Sequence, residues 1–327
     1  MAGPVKWKIR KTSIRYLFIV AALFCIYYIY LCFSRCGQIL FDDFIGKPRP
    51  TFFCVNFVGG LANHMFQYAF GYAMAESRNS QLIVQRSNML TNYFDISSNT
   101  FEDHGYNSET CWCFRTREND KNCGYDERLD KLPLNDLSII GYVQSWKYWR
   151  KNENKLRKLF TFNDNITIEA QNQMRSVLTQ KNIKISQGQV IVGVHIRNGD
   201  YTRKFGGYGY NIAPKEYIFS AMKYFKERFI HPFFIVCTNE VIWTKRVLSG
   251  MTDVYISEGN SAPVDMALLS LTNHTIMTVG TYGWMVAWLT RGITIYYKHP
   301  YVQGSEFASQ FHSNYSDHFY PGWIAME

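Results

Sequence analysis

The sequence predicts an α/β protein built on parallel sheets, and three observations carry that prediction. From residue 190 to 297, short β-branched or aromatic runs alternate with helical patterns, as successive βαβ units require. Near the front of the chain a strand-like run, TFFCVNFV from Thr51 to Val58, ends in Gly59-Gly60 and opens straight into a second helical pattern. With 327 residues, the chain is also long enough for two ordinary domains with their own cores.

Taken in order, residues 1–15 form a basic tail. Tyr16 to Phe33, YLFIVAALFCIYYIYLCF, is a run of eighteen residues without a charge, about the lower limit for crossing a bilayer. Lys6, Lys8, Arg10, Lys11 and Arg15 precede it with no acid among them, whereas only Arg35 follows closely. That bias predicts a signal anchor with its amino terminus in the cytoplasm and the rest of the chain in a lumen. A cleaved signal peptide has a shorter apolar core and a small-x-small site after it, and neither is met here. The short span suits the thinner membranes of the early secretory pathway. Five of the formal nine positive charges lie before residue 16, so a nucleic-acid surface has little support. A mildly basic lumenal part is compatible with a phosphate-bearing ligand.

Residues 34–50, with Gly46, Pro48 and Pro50 and no helical period, read as a short stem, and Asp42-Asp43 within it as no metal site. Cys54 and Cys237 sit in apolar strand-like runs that favour buried thiols, while Cys111, Cys113 and Cys123 share one polar loop. In an oxidising lumen Cys123 is expected to pair with one of the other two; a zinc site lacks a fourth ligand and suitable spacing. Sequons at Asn165, Asn273 and Asn314 agree with a lumenal address, though the middle one precedes a buried-looking strand and is expected to stay unused.

After Gly59-Gly60, Leu61, Met65, Tyr68, Ala69, Tyr72, Ala73 and Glu76 recur at helical spacing. A strand, a double glycine and a helix present amide groups and a positive dipole end to a cleft. The lack of a Gly-Lys-Ser/Thr continuation argues against a P-loop. Helices are expected at 152–160 and 168–181, and a domain boundary near residue 186. Beyond it come a strand at 190–196, a helix at 214–229, a strand at 233–238, a helix at 241–248 and a strand at 253–257. A helix at 264–271, a strand at 275–279, a helix at 284–290 and a strand at 293–297 complete a doubly wound domain. The first of these strands ends abruptly in His195-Ile-Arg197-Asn198-Gly199-Asp200-Tyr201. Because open α/β sheets bind ligands at strand carboxyl ends, His195, Arg197 and Asp200 stand where chemistry is expected. The glycine-rich loop from Gly206 to Gly209 either closes over a ligand or is a plain surface loop.

Four ordered segments resemble glycosyltransferase family 11, the α1,2-fucosyltransferases. His195 to Tyr201 resembles that family's H-x-R-R-G-D-Y signature, with Asn198 for its second Arg. Gly59-Gly60-Leu61-Ala62-Asn63-His64-Met65-Phe66-Gln67-Tyr68-Ala69 resembles G-G-L-G-N-Q-M-F-Q-Y-A, with Ala62 for Gly and His64 for Gln. Gly141 to Trp149 resembles G-Y-x-Q-S-x-K-Y-F, a segment that by residue type either lines the cleft or packs as an aromatic motif. Val264 to Trp284 resembles the family's acid-containing helix, H-x-I strand and aromatic turn, in which several members have Ser where Gly283 stands.

The resemblance implies a GT-B-like pair of Rossmann-type α/β domains facing a cleft, behind one transmembrane helix. Residues 51–186 would form the acceptor-side domain and residues 187–327 the domain that binds GDP-fucose. It implies a type II Golgi membrane enzyme that moves fucose from GDP-fucose to the 2-hydroxyl of terminal galactose with inversion, carrying N-glycans at Asn165 and Asn314. The chain contains no D-x-D triplet, so no metal is expected and the cation facing the diphosphate must be a side chain. Arg197 is the choice for a bidentate phosphate contact, helped by the amides of Gly280, Thr281, Tyr282 and Gly283 at a helix start. Asn63, with Gly59 and Gly60, would approach the phosphate and the transferred sugar. Asp200 and His195 are the candidate bases, although Asp200 alternatively orients Arg197 and His195 alternatively bonds sugar or phosphate. Asp265 would accept hydrogen bonds from guanine or serve only as a helix-start acid. Two other readings stay open: a fucosyltransferase of different acceptor or linkage, and a catalytically silent glycan or nucleotide-sugar binding homologue, which the changes at Asn198, Ala62 and His64 would suit.

Overall fold

A computed structural model describes residues 11–33, 36–84, 88–96, 111, 113–183, 189–199 and 209–327. Its strands fall into two all-parallel sheets. The first holds β1 (Phe52–Val55), β2 (Gln81–Ile83), β3 (Arg115–Glu118) and β4 (Leu137–Ile140) in the order β2-β1-β4-β3. The second holds β5 (Ile191–Ile196), β6 (Phe233–Thr238), β7 (Val254–Ile256), β8 (His274–Met277), β9 (Thr294–Tyr297) and β10 (Ile324–Met326). Its order, β10-β9-β8-β5-β6-β7, is that of a dinucleotide-binding Rossmann sheet, with the strand order reversing between β5 and β8.

The front sheet shows how a period of two sorts side chains. Phe53 and Val55 of β1 point to the core shared with α3 (Leu61–Ser77), whereas Phe52 and Cys54 point the other way, onto Ile39, Ile83 and Phe114. That second face is closed by α2 (Gly37–Phe44), so residues 34–50 are not the plain stem expected from sequence. Ile39 and Asp42 are buried, Arg49 bridges Asp43 at 2.9 Å and Asp136 at 2.6 Å, and Asp136 also accepts the Phe52 amide at 2.8 Å. The cysteine expectation is corrected on the same face. Cys36 bonds Cys113 and Cys54 bonds Cys111, with Cα separations of 5.5 and 5.8 Å, while Cys123 and Cys237 are buried free thiols. Cys54 is buried as expected, but its partner approaches from a segment 57 residues downstream. Sequence proximity therefore paired the wrong thiols.

In the second sheet, Val192, Val194 and Ile196 of β5 face α6 (Lys215–Lys226), and Ile191, Gly193 and His195 face α8 (Ala262–Ser270) and α9 (Thr281–Thr290). Helices thus cover both faces, with α7 (Val241–Val247) linking β6 to β7. The two halves share one continuous apolar core. Phe66 of α3 lies 4.8 Å from Trp284 of α9, Trp149 meets Trp284 edge-on at 5.9 Å and Trp288 at 5.1 Å, and all three tryptophans are fully buried. Each such ring removes apolar surface worth on the order of 2–3 kcal/mol, so this aromatic seam is a principal weld between the sheets. Helix α4 (Glu153–Leu159) and α5 (Asp164–Gln180) precede residue 186, yet Gln173 of α5 reaches across to donate to the Ser257 hydroxyl at 3.2 Å. Helix α5 starts earlier than its apolar period suggests because Asn163 caps it, accepting from the Ile166 amide at 3.1 Å.

Lys11–Phe33 is one helix, α1, of 23 residues. Among the described residues no helix is long and apolar enough to cross a membrane, so the anchor rests on the uncharged sequence run itself.

Candidate active site

The carboxyl ends of β5 and β8 meet at the point where the strand order reverses, and a cleft opens there between the two sheets. Its cavity holds about 230 Å³ and opens to solvent at its mouth. Asn63 and Gln144 from the first half, Arg197, Gly280 and Thr281 from the second, and Tyr142, Tyr210, Tyr301, Phe307, Cys123 and His318 line it.

Arg197 is set just past the last residue of β5. Its amide donates to the Thr278 hydroxyl at 2.9 Å, and the Thr278 amide donates to the His195 carbonyl at 3.1 Å. The two strand ends are thereby locked and the half-buried guanidinium is delivered into the cleft. Gly280, at φ +91, caps α9 and aims that helix's amino terminus at the same space. A guanidinium beside a helix start is an anion site. Among the described lining residues Arg197 is the only side chain with a fixed charge.

Asn63 joins the halves. Its carbonyl oxygen accepts from Gln144 Nε2 at 3.0 Å and from the Thr281 hydroxyl at 2.8 Å. Gly59 permits this: it sits at φ +89, and a Cβ there would stand 2.2 Å from the Asn63 amide nitrogen. Gln67, one turn further along the same motif, accepts the Val58 amide at 3.1 Å and donates to the Gly141 carbonyl at 3.0 Å, fixing the turn against the end of β4. Ala62 is buried. His64 points at Asn88, with its Nδ1 3.2 Å from that side-chain oxygen, and burial lowers its pKa.

His195 does not line the cleft. Its ring is buried under α9, 4.9 Å from the Tyr282 ring, and a Cβ on Gly283 would come within 2.7 Å of its Nδ1. The physical reason is strand parity: position 195 shares the face of Gly193, which α8 and α9 cover, and only the residue beyond the strand escapes. Asp200 lies outside the described residues, as does most of the loop from Gly206 to Gly209. Asp265 is also away from the cleft, accepting the Ser257 hydroxyl at 2.8 Å and Asn260 Nδ2 at 2.9 Å. Gly60, Tyr282 and Gly283 support the walls without lining them, and the Tyr282 hydroxyl donates to the Ala262 carbonyl. Asn198 hangs its amide on the Asn239 side chain at 3.1 Å. The Gly141–Trp149 segment divides between its two expected roles: Tyr142 and Gln144 line the cleft, while Tyr148 and Trp149 are core.

Sequence reasoning missed the carboxyl-terminal segment entirely. Tyr301, Phe307 and His318 come from residues 298–327, which carry α10 (Glu306–Ser309) and β10. The segment is stitched to the first half, where the Tyr125 amide donates to Asp317 at 3.2 Å and Ser145 Oγ donates to the Asp317 carbonyl, and to α9, where Trp284 Nε1 donates to the His318 carbonyl at 2.8 Å. His318 Nε2 lies 3.0 Å from the Tyr301 hydroxyl, and full burial lowers its pKa to about 4, so the ring is neutral at physiological pH. The aromatic density from Tyr301 to Phe319 was the available signal, but nothing in its period distinguishes a cleft wall from a core.

Two parallel α/β sheets facing one cleft, with a guanidinium and a helix start at its floor, are the architecture of a glycosyltransferase. The profile of glycosyl transferase family 11 matches residues 37–327, and the chain belongs to that family. It is 28% identical over 286 residues to galactoside alpha-(1,2)-fucosyltransferase 2 of Oryctolagus cuniculus, covering 85% of this chain and 78% of that protein. With galactoside 2-alpha-L-fucosyltransferase SEC1 of Bos taurus it shares 28% identity over 286 residues, 85% of this chain and 75% of that one. The crystal structure of fucosyltransferase NodZ from Bradyrhizobium superposes with a TM-score of 0.50 at 13% identity, over 75% of this chain and 93% of that one, which shows a shared fold.

Proposed function

We propose that this chain transfers fucose from GDP-fucose to the 2-hydroxyl of a terminal galactose, inverting the anomeric centre without a metal ion. The observation that carries this reading is the convergence of four separated motif segments on one cleft, where Asn63 bonds both Gln144 and Thr281 beside Arg197. The names of the relatives above supply the sugar, the linkage and the galactoside. As the glycosidic bond breaks, negative charge grows on the departing diphosphate; Arg197 and the α9 amino terminus stabilise it, a role that needs a fixed cation at that point. Asn63, held by its two partners, presents its amide to the transferred sugar. Displacement also needs a proton acceptor near the attacking hydroxyl. The described lining contains no carboxylate and His195 is screened from the cleft; of the two candidate bases the reading takes Asp200, which lies outside the described residues and alternatively orients Arg197.

Residues 16–33 act as the signal anchor of a type II Golgi protein, with residues 51–186 on the acceptor side of the cleft and the nucleotide bound from residues 187–327. Two disulfides suit the oxidising lumen this requires. Asn165 and Asn314 are exposed and take N-glycans; Asn273 does not, because its side chain accepts the Ile191 amide at 2.8 Å and Thr275 is fully buried in β8. One observation favours the silent-homologue reading: Asn198 stands where the family carries a second cation. Full-length protein in detergent micelles, given GDP-fucose and lactose with a chelator, separates the two. Transfer with a 1,2 linkage is expected, another linkage transfers the reading to a sister activity, and GDP binding with neither transfer nor hydrolysis overturns it in favour of a binding protein.

A further inference from the structure

The lining of the cleft is of two chemical kinds. One is Arg197 with the α9 amino terminus, which suits an anion. The other is an aromatic wall assembled from both halves of the chain: Cys123 and Tyr142 from the first, Tyr210, Tyr301 and Phe307 from the second. This wall belongs to a small apolar cluster separate from the cores of both sheets. Its residues are layered. Phe307 and Tyr301 are buried behind, their rings 4.6 Å apart and edge-on, and the half-buried Tyr210 rests on Phe307 at 4.4 Å. The strand-like pairing of Tyr210 with Tyr301, and the Val302 amide donating to the Gly209 carbonyl at 2.8 Å, hold Tyr210 in place. Tyr142, also half-buried, is held by its amide donating to the Asn122 side chain at 3.3 Å. No charged side chain belongs to this wall among the described residues; its polar atoms include the Tyr301 hydroxyl, shared with neutral His318 at 3.0 Å, and the Gln144 amide lines the cleft with it.

From this geometry we propose that the aromatic wall is the subsite for an uncharged pyranose ring, the galactose of the acceptor. Tyr142 and Tyr210 meet its C–H face, and the Tyr301 hydroxyl, held by His318, is the positioning group that reads its hydroxyls. Rigid aromatic faces bury apolar C–H surface at low entropic cost, while a fixed phenol supplies direction. Among the described residues the wall offers no fixed cation to a diphosphate. The inference rests on the galactoside reading above for the identity of the ring, but the wall's binding of a neutral sugar is measured without the donor.

The test is lactose binding to the full-length chain in detergent micelles, followed by saturation-transfer NMR, beside calorimetric titration of GDP. Tyr142→Ala and Tyr210→Ala are each expected to weaken lactose at least tenfold while the Kd for GDP stays within twofold. Tyr301→Phe keeps the ring and is expected to raise the acceptor KM about three- to tenfold with kcat retained, the size of one lost hydrogen bond. Retained GDP affinity also certifies that the variants are folded. Lactose affinity unchanged in both alanine variants, or GDP affinity falling in step with it, overturns the assignment. Wild-type protein that binds lactose but not GDP removes the donor reading and leaves the wall assigned; one that binds GDP but no lactose does the reverse.

Discussion

The two sheets are held together by different means, and the contrast teaches where each half obtains its stability. The Rossmann half is layered: β5 to β9 lie between helices on both faces, and every strand pair is supported by apolar side chains above and below. The front half has four short strands with the long helix α3 on one face; its second face is closed by α2 and two disulfides. The Rossmann half has a core of its own on one face and shares the other, whereas the front half depends on that shared core and on covalent staples.

The largest expected effect tests the charge that only the Rossmann half supplies. Arg197→Ala is expected to lower kcat/KM for transfer about 10³-fold, the size seen when a transition-state charge partner is removed, with Arg197→Lys intermediate because it keeps charge but loses the fork. Steady-state kinetics at saturating acceptor decides it; a loss below tenfold would break the assignment of the cation to this side.

Reduction sharpens the contrast in stability. Opening Cys36–Cys113 and Cys54–Cys111 is expected to destabilise the front half by up to about 4 kcal/mol, so amides of α2 and β1 should lose hydrogen-exchange protection while those of β5 and β6 keep theirs. Simultaneous loss in both sheets would show that the seam, not the staples, governs.

Acid probes the segment that ties the halves. Because the folded pKa of His318 is about 4, below the ordinary value of 6.5, the unfolded chain takes up a proton between those values that the folded chain does not. This contribution leaves stability at its full value above pH 6.5 and erodes it as pH falls toward 4, by on the order of 3 kcal/mol in all. Chemical denaturation of wild type and His318→Gln across pH 4–8 reads it, the variant being expected to lose that slope.

The smallest effect lies inside the Rossmann half. Gly283→Ala places a methyl against the His195 ring and Met277 and is expected to cost about 1–3 kcal/mol. A shift of the unfolding midpoint measures it, and no shift would mean the His195 ring moves aside freely.

Much of the second half was legible because its periodicities are local: alternating runs announced β5 to β9, and the abrupt end of β5 marked Arg197. His195 was misplaced for a reason the chain does contain, since its parity with Gly193 puts it on the helix-covered face. The front half was less legible because its decisive contacts span long separations: Cys36 meets Cys113 across 77 residues, and Asp136 reaches back to Arg49. Apart from Tyr142, whose segment was expected to line the cleft or to pack as an aromatic motif, the cleft's aromatic wall was invisible from sequence. Tyr142, Tyr210, Tyr301 and Phe307 come from three distant segments, and only the folded carboxyl-terminal segment brings them side by side.

The cross-link at Cys36 has a mechanical meaning. It begins three positions after α1 ends, so the folded body starts with almost no leash. If residues 16–33 anchor the chain as proposed, the folded body would sit close to the lipid headgroups instead of sweeping a wide volume on a tether, and sugars displayed near that surface would be the ones within its reach.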